Sequence, residues 1–270
     1  MTHDNFAAEI TSNDPVFDDI RPCKDEEVSA ELVKICSDDT VITSILKFRY
    51  PLFAGSLSFI LAPFVRRFLK KKVASIHTVN DFQKTVQSYM NHVIKTTTDG
   101  VRYEGFDKLS KDCGYLFISN HRDIALDPAF IDMALVSQGL DTVRIAIGDN
   151  LLRIPAATSL MRLNKSFIVK RSKLPPREKL KALTHLSEYI GLSVHEGHSV
   201  WIAQREGRAK DGDDRTEDAV LKMLSLYGRK LKQDFAQYMS SLRIVPVSIS
   251  YEYDPNDLAK ARELDERERN

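Results

Sequence analysis

The sequence predicts an α/β protein with a mostly parallel central sheet flanked by helices. The first observation is a set of short apolar segments rich in strand-forming residues. The second is that longer segments of helical periodicity alternate with them. A third is size, because 270 residues with 43% hydrophobic content can bury a full core. Strands separated by helices need crossover connections, so neighbouring strands are expected to run parallel.

Five segments of the sequence are predicted as strands. Each is short, apolar and rich in β-branched or aromatic residues, and turn-forming or charged residues bound it. The segments are GYLFIS (114–119), TVRIAIG (142–148), KSFIVKR (165–171), HSVWIAQ (198–204) and RIVPVSISYE (243–252).

Helical periodicity occupies most intervals between these strands and one stretch before them. The predicted helices cover residues 81–95, 128–140, 176–192 and 216–239. Asp81 is the expected N-cap of the first helix. Asp127 is the expected N-cap of the second, because Pro128 suits the first helical position. Gly228 is a candidate break in the last helix.

Charge is unevenly distributed, although the formal net charge is only +1. Residues 1–40 contain 11 acidic and 3 basic side chains, whereas the remainder contains 27 acidic and 36 basic ones. We therefore predict an acidic, flexible head over residues 1–40, a membrane-associating segment over 41–75 and a catalytic domain over 76–270. A basic body favours an anionic substrate or membrane surface, and no nucleic-acid partner is expected.

The membrane prediction rests on residues 51–72. The apolar part, Pro51 to Phe64, is shorter than the roughly 20 residues that a spanning helix needs. Basic residues follow it, namely Arg66, Arg67, Lys70, Lys71 and Lys72. This pattern predicts peripheral or monotopic association with the cytoplasmic face of a membrane, where anionic lipid attracts basic residues. The alternative is a buried helix with a solvated basic end.

The cysteines predict neither disulfides nor a metal site. Cys23, Cys36 and Cys113 are widely spaced, and no C-x-x-C occurs. No secretory signal is evident at the start, so free thiols are expected. His195 and His198 have ligand spacing, but the sequence has no second Cys/His pair at ligand spacing to complete a site, and no metal is predicted.

The stretch FISNHRDIALDPAF (117–130) supports two interpretations. His121-Arg122-Asp123 matches the H-R-D of a protein-kinase catalytic loop, but that loop requires an asparagine where this chain has Pro128. Neither D-F-G nor G-x-G-x-x-G occurs, which argues against a kinase. In the second interpretation Asp127 holds one nitrogen of the His121 imidazole and leaves the other as a base.

Polar residues follow three of the predicted strands. His121 follows the first, Arg171 ends the third, and Arg205 to Arg208 follow the fourth. Functional residues of parallel sheets gather beyond the carboxyl ends of the strands. The three clusters are therefore expected to contribute to one site.

Four blocks of the sequence resemble, in order, the motifs of the glycerolipid acyltransferase superfamily, which includes bacterial-type glycerol-3-phosphate and 1-acylglycerol-3-phosphate acyltransferases. The blocks are NHRDIALDP (120–128), KSFIVKRS (165–172), REGRAKDG (205–212) and IVPVSISYE (244–252). The first is one residue longer than the family's N-H-x4-D. The second has Lys165 where glycine is usual, and the third lacks a residue between Gly207 and Arg208. Together they span about half of the chain.

The resemblance implies a role for each matching residue. His121 corresponds to the catalytic base and Asp127 to its carboxylate partner, while the extra residue of the first block keeps Asp123 open as the alternative partner. The residues expected to bind the substrate phosphate are Arg171, Arg208, Arg205 and Lys165. The supporting motif residues are Asn120, Glu206 and Gly207.

The same resemblance implies transfer of an acyl group from a thioester to a hydroxyl of a glycerol-phosphate lipid precursor. Acyl-CoA or acyl carrier protein would be the co-substrate, without another cofactor. The favoured acceptor is 1-acyl-sn-glycerol-3-phosphate (lysophosphatidate). Arg122 after the base resembles the glycerol-3-phosphate branch, so that acceptor or another lysophospholipid stays open. A membrane-surface binding protein with a degenerate site is the non-enzyme alternative.

Overall fold

The computed structural model describes residues 10–49, 58–152, 154–171, 174–254 and 256–269. Within them the strands are β1 (Leu116–Ser119), β2 (Arg144–Gly148), β3 (Ser166–Val169), β4 (Val200–Ala203) and β5 (Ile244–Val247). The helices are α1 (Val28–Ser37), α2 (Asp39–Arg49), α3 (Ser58–Val73), α4 (Val79–Thr97), α5 (Leu126–Ser137), α6 (Pro155–Leu163), α7 (Pro176–His195), α8 (Asp218–Leu224), α9 (Leu226–Lys230), α10 (Phe235–Ser241) and α11 (Asp257–Arg269). Short 3₁₀ helices cover Pro15–Phe17, Asp25–Glu27, Phe106–Lys108 and Asp149–Leu151.

The strands form one sheet with the order β3-β2-β4-β1-β5. The pairings of β1 with β4, of β1 with β5 and of β2 with β4 are all parallel. Each observed strand lies inside a segment that the sequence predicts as a strand. The predicted α/β class with a mostly parallel sheet and flanking helices is confirmed.

The chain divides into two compact units. Unit 1 comprises residues 1–20, 102–146 and 172–270, and unit 2 comprises residues 21–101 and 147–171. The core of unit 1 lies on β1 and β4, where Leu116, Phe117, Val200 and Trp201 are buried. Helix α7 contacts β4, and the second half of this helix is buried.

Unit 2 has a hydrophobic cluster of its own, formed in part by α1, α4 and α6. Its buried members are Cys23, Val28, Leu32, Ile76, Val79, Phe82 and Leu163. The prediction that residues 1–40 form a flexible head is therefore wrong for the described residues 10–40. Apolar residues at i and i+4 of α1 share one buried face, although acidic residues dominate the composition around them.

Two local predictions about helices need correction. The N-cap of α4 is Thr78, and Asp81 is the third helical residue, whose side chain accepts the Thr78 backbone N–H in a capping box. The long helix predicted over 216–239 is three helices, and Gly228 lies inside α9. A Cβ at Gly228 would stand 2.4 Å from the ring of Tyr238, so this glycine permits close packing and does not break a helix.

The structure describes residues 41–49 and 58–75 of the predicted membrane-associating segment, whereas residues 50–57 lie outside the described residues. The outward face of α3 carries large exposed apolar side chains, namely Phe59, Ile60, Phe64 and Phe68. Phe48 of α2 is 91% exposed as well. In the described part of the chain, no helix has both the length and the apolar character needed to cross a bilayer.

The three cysteines are free thiols in the structure. Cys23 and Cys36 are buried in unit 2. Burial raises the pKa of the Cys23 thiol to about 11, so this thiol stays protonated and unreactive at neutral pH.

Candidate active site

The carboxyl ends of three neighbouring strands meet at one edge of the sheet in unit 1. Ser119 at the end of β1 is in register with Ala203 of β4 on one side and Val247 of β5 on the other. The residues that follow these strands therefore emerge side by side. His121 follows β1, and the segment from Gln204 onward follows β4.

His121 and Asp127 form a hydrogen-bonded pair at this edge. Nδ1 of His121 lies 2.9 Å from Oδ2 of Asp127, whose side chain is fully buried. Oδ2 also accepts the backbone N–H groups of Arg122 and Asp123 at 2.6 and 2.9 Å. With Nδ1–H donated to the carboxylate, Nε2 carries the lone pair. Among the described residues, no hydrogen bond engages Nε2.

The alternative carboxylate, Asp123, does not contact the ring. Its Oδ1 accepts the backbone N–H groups of Ala125 and Leu126, both at 2.8 Å, and its Oδ2 accepts from the side chain of Asn256. The helix consequently begins at Leu126, one residue before the predicted N-cap Asp127. Asp123 satisfies the first N–H groups there, which leaves Asp127 to face His121.

The imidazole packs against Trp201 of β4. The two rings meet edge-on with centroids 5.5 Å apart, and the indole N–H donates to Oγ of Ser119 at 2.9 Å. The His121 side chain is 13% exposed, so a substrate group can reach it while the rest of the ring is enclosed. Across the described ranges, no group of three His, Cys, Asp or Glu side chains is arranged to hold a metal ion.

The loop after β4 holds the backbone of His121. The N–H of His121 donates to Oδ2 of Asp214 at 3.0 Å, and its carbonyl accepts the N–H of Ala209 at 2.8 Å. Gln204 anchors the loop in turn, since Nε2 donates to the Asp214 carbonyl at 2.9 Å. Asp214 was not among the predicted site residues, because nothing in its local sequence distinguishes it from other loop aspartates.

The predicted phosphate ligands of the third block, Arg205 and Arg208, precede Ala209 in the loop after β4. Nη1 of Arg205 donates to the Asp213 carbonyl at 3.3 Å, while Nε is buried and makes no hydrogen bond within the described residues. Arg208 lies 3.5 Å from the carboxylate of Glu263 on α11. The predicted supporting residue Gly207 has φ 77°, a left-handed conformation that favours glycine.

The other supporting residues differ in what they do. The amide of Asn120 joins the segment after β1 to the segment after β5: Nδ2 donates to the Ile249 carbonyl at 2.8 Å, and Oδ1 accepts the Ile249 N–H at 2.7 Å. The backbone N–H of Glu206 lies 3.4 Å from Oε2 of Glu217, and the Glu206 side chain is exposed. Asn120 thus fixes the segment after β5 next to His121.

Arg122 is engaged by the protein itself. Its guanidinium donates to the Asp211 carbonyl at 2.5 Å and to Oδ2 of Asp254 at 3.0 Å. Burial opposes ionisation of Asp254, but the hydrogen bonds from Lys260 and the Asn256 N–H, with the charges of Lys260 and Arg122, lower the pKa of its carboxyl. Arg122 therefore ties the loop after β1 to the segment that precedes α11.

Lys165 and Arg171 belong to unit 2. Lys165 has φ 56°, a left-handed conformation that glycine favours. The backbone N–H of Arg171 donates to Oδ1 of Asp149 at 3.1 Å, and its side chain is exposed.

Comparison with known proteins identifies one family. A family model described as "Acyltransferase" matches residues 100–250, more than half of the 270-residue chain. Among solved structures, a chain titled 1-acyl-sn-glycerophosphate (LPA) acyltransferase, PlsC, from Thermotoga maritima is similar at 16% identity and a TM-score of 0.39, over 73% of this chain and 70% of that one. The curated proteins contain no significant match.

Proposed function

The chain belongs to the acyltransferase family, and on that basis we propose that it transfers an acyl group from a thioester to a hydroxyl of a phosphorylated glycerolipid precursor. We favour 1-acyl-sn-glycerol-3-phosphate as the acceptor. The observation that carries the proposal is the pairing of His121 with the buried carboxylate of Asp127. An intact pair of this kind favours catalysis over a membrane-binding protein with a degenerate site.

The pair supplies the base that the reaction needs. An alcohol is a weak nucleophile, so Nε2 of His121 takes its proton as the oxygen attacks the thioester carbonyl. The new C–O bond forms, the C–S bond breaks, and the proton passes from Nε2 to the departing thiolate. A thiolate is a good leaving group, so little acid assistance is required. Asp127 stabilises the imidazolium that exists between these two proton transfers.

Arg205 and Arg208 are the proposed phosphate ligands of unit 1. Both precede Ala209 within the same loop, and the N–H of Ala209 donates to the carbonyl of His121, which joins this loop to the base. The guanidinium of Arg205 makes one hydrogen bond within the described residues, from Nη1 to the Asp213 carbonyl. The 3.5 Å contact of Arg208 with Glu263 is long for an ion pair, and a phosphate can compete for that guanidinium.

Arg171 and Lys165 are proposed as further phosphate ligands. Their support is the resemblance of the second sequence block, together with the left-handed backbone at Lys165, which preserves the turn that glycine usually forms. The side chain of Arg171 lies at the surface of unit 2.

The outward face of α3 is proposed to bind a membrane on its cytoplasmic side. Burying one large apolar side chain gains about 1.5–3 kcal/mol, and each basic residue near anionic lipid adds about 1 kcal/mol. The binding free energy from the apolar side chains should therefore be about as large as that from the five basic residues of α3, or larger. These apolar side chains are Phe59, Phe64 and Phe68. Arg66 contributes least, because its guanidinium binds Asp39.

The test is an acyl-transfer assay with purified protein. Radiolabelled acyl-CoA and radiolabelled acyl thioester of acyl carrier protein are offered as donors, with lysophosphatidate, glycerol-3-phosphate and other lysophospholipids as acceptors. We expect labelled phosphatidate to form fastest. Faster labelling of glycerol-3-phosphate would reassign the acceptor, and no transfer to any acceptor would contradict the proposal.

A further inference from the structure

The second oxygen of the Asp127 carboxylate has its own hydrogen-bond donor. Oδ1 accepts the hydroxyl of Tyr251 at 2.8 Å, while Oδ2 takes the three bonds from His121, Arg122 and Asp123. Among the described residues, Tyr251 is the only donor to Oδ1. Burial, and then the negative charge of Asp127, raises the pKa of Tyr251, so the hydroxyl keeps its proton and continues to donate.

Tyr251 is itself held from two sides. The amide of Asn120, directly before His121, makes both of its hydrogen bonds to the backbone of Ile249, two residues before Tyr251. The ring of Tyr251 packs against Phe130 of α5, with centroids 5.9 Å apart. The tyrosine therefore lies between the strand end that carries the base and the helix that carries the carboxylate.

We propose that Tyr251 is a positioning residue, which fixes the rotation of the Asp127 carboxylate and through it the tautomer and orientation of the His121 ring. The inference rests on the proposed function, because it concerns the same base. Without the tyrosine hydroxyl, Oδ1 would be a buried carboxylate oxygen with no partner, and the carboxylate could turn away from Nδ1. Tyr251 itself touches no reacting atom in this scheme.

The variant that tests the proposal is Tyr251→Phe, which removes the hydroxyl and keeps the ring packing. Its matched control is Tyr253→Phe, since Tyr253 is 84% exposed. The first readout is the ¹⁵N spectrum of the neutral His121 ring. We expect a single Nδ1–H tautomer in the wild type and in Tyr253→Phe, and a mixture of tautomers in Tyr251→Phe.

The second readout is kinetic. With the best acceptor, Tyr251→Phe should lower kcat about 10-fold and leave the KM of the acceptor within about twofold, as expected when only transition-state stabilisation is lost. Thermal melting separates this from unfolding. An unchanged tautomer in Tyr251→Phe overturns the proposal whether or not the wild type transfers acyl groups. A wild type inactive on every acceptor overturns the proposed function instead, and the ¹⁵N result still decides the role of Tyr251.

Discussion

Oδ2 of Asp127 lies 2.9 Å from Nδ1 of His121, even though Asp127 is already part of the helix that follows. Two residues of the preceding loop, Arg122 and Asp123, make this contact possible. Asp123 caps the helix, so the carboxylate of Asp127 is not needed for the first N–H groups of α5. The N–H groups of Arg122 and Asp123 both turn toward Oδ2 and hold the loop around it.

The two aspartates of this loop should respond differently to amide substitution. We expect Asp127→Asn to lower kcat by roughly 10²–10⁴-fold, because an amide cannot stabilise the imidazolium and can favour the wrong tautomer. Asp123→Asn should reduce the rate less than 10-fold, since an asparagine can still cap a helix. Steady-state rates of labelled acyl transfer measure both effects.

A third variant, Asp123→Ala, tests the role of Asp123 as the helix cap through the stability of the protein. Asp123→Ala should lower the free energy of unfolding by about 1–2 kcal/mol through loss of the cap, measured by urea denaturation. If Asp123→Asn impairs turnover more than Asp127→Asn does, the wrong carboxylate has been assigned to the ring.

Removal of a phosphate ligand should affect one substrate selectively. A hydrogen bond to a charged group is worth about 1.5–3 kcal/mol, so Arg208→Ala should raise the KM of the acceptor by roughly 10- to 100-fold and change the KM of the acyl donor little. Arg171→Ala should act in the same direction. The comparison is made in the assay with both substrates varied.

Arg215→Ala is the matched control, because Arg215 is in the same loop and its side chain is 84% exposed. It should leave both KM values unchanged. Equal increases in the two KM values for Arg208→Ala would instead assign Arg208 to the structure of the loop, where it contacts Glu263.

Membrane binding should have an apolar and an electrostatic part. Replacement of Phe64 and Phe68 by serine should weaken sedimentation with both neutral and anionic liposomes. Replacement of the basic residues by glutamine should weaken only the binding to anionic liposomes, which salt should also screen. These residues are Arg66, Arg67, Lys70, Lys71 and Lys72.

Arg66→Gln alone is the control and should have the smallest effect, because Arg66 pairs with Asp39. Activity on a short, water-soluble acceptor should survive in all of these variants, since none of the substituted residues belongs to the His121 site. Equal binding of the glutamine variant and the wild type to anionic liposomes would mean that the basic residues form a solvated face only.

Lowering the pH should reduce the stability of unit 2, because the Glu27 carboxylate then becomes protonated. The hydrogen bonds from Arg21, at 2.7 and 2.8 Å, are the main cause that lowers the pKa of Glu27 from 4.5 to about 2. Because the folded pKa is the lower one, the stabilisation is complete above pH 4.5 and is lost as the pH falls toward 2. The shift corresponds to roughly 3 kcal/mol before screening, and partial exposure of the Glu27 carboxylate reduces this to about 1–2 kcal/mol.

Urea denaturation of the wild type and of Glu27→Gln at several pH values measures this contribution. The difference in unfolding free energy should be about 1–2 kcal/mol at pH 7 and should shrink steadily below pH 4.5. A difference that stays constant between pH 7 and pH 3 would show that Arg21 does not bind the ionised carboxylate.

The strands and the order of the motifs could be predicted because both depend on local sequence. A run such as LFIS in β1 is apolar on both faces and forms a strand wherever a parallel sheet can bury it. The prediction of a flexible acidic head is wrong for residues 10–40 because it rests on average composition and not on the spacing of individual residues. Average composition concealed three residues of α1, Val28, Leu32 and Cys36, that are spaced to form a buried face.

Contacts between distant parts of the chain account for what could not be predicted in the site. Tyr251 reaches Asp127 across 124 positions, and Asp214 reaches the backbone of His121 across 93. No local pattern marks either residue, since each depends on how β4 and β5 align with β1. The sequence favours Asp127 over Asp123 through the resemblance of the first block, and the geometry distinguishes them directly, because Asp127 contacts the ring and Asp123 caps the helix.

The most direct test of the account is the rate of labelled acyl transfer to lysophosphatidate by His121→Ala. The matched control is His92→Ala, because His92 is an exposed histidine of α4. Loss of the base should lower kcat by roughly 10²–10⁴-fold while thermal melting stays close to that of the wild type, and His92→Ala should retain full activity. Near-wild-type turnover by a folded His121→Ala protein would contradict the assignment of His121 as the base.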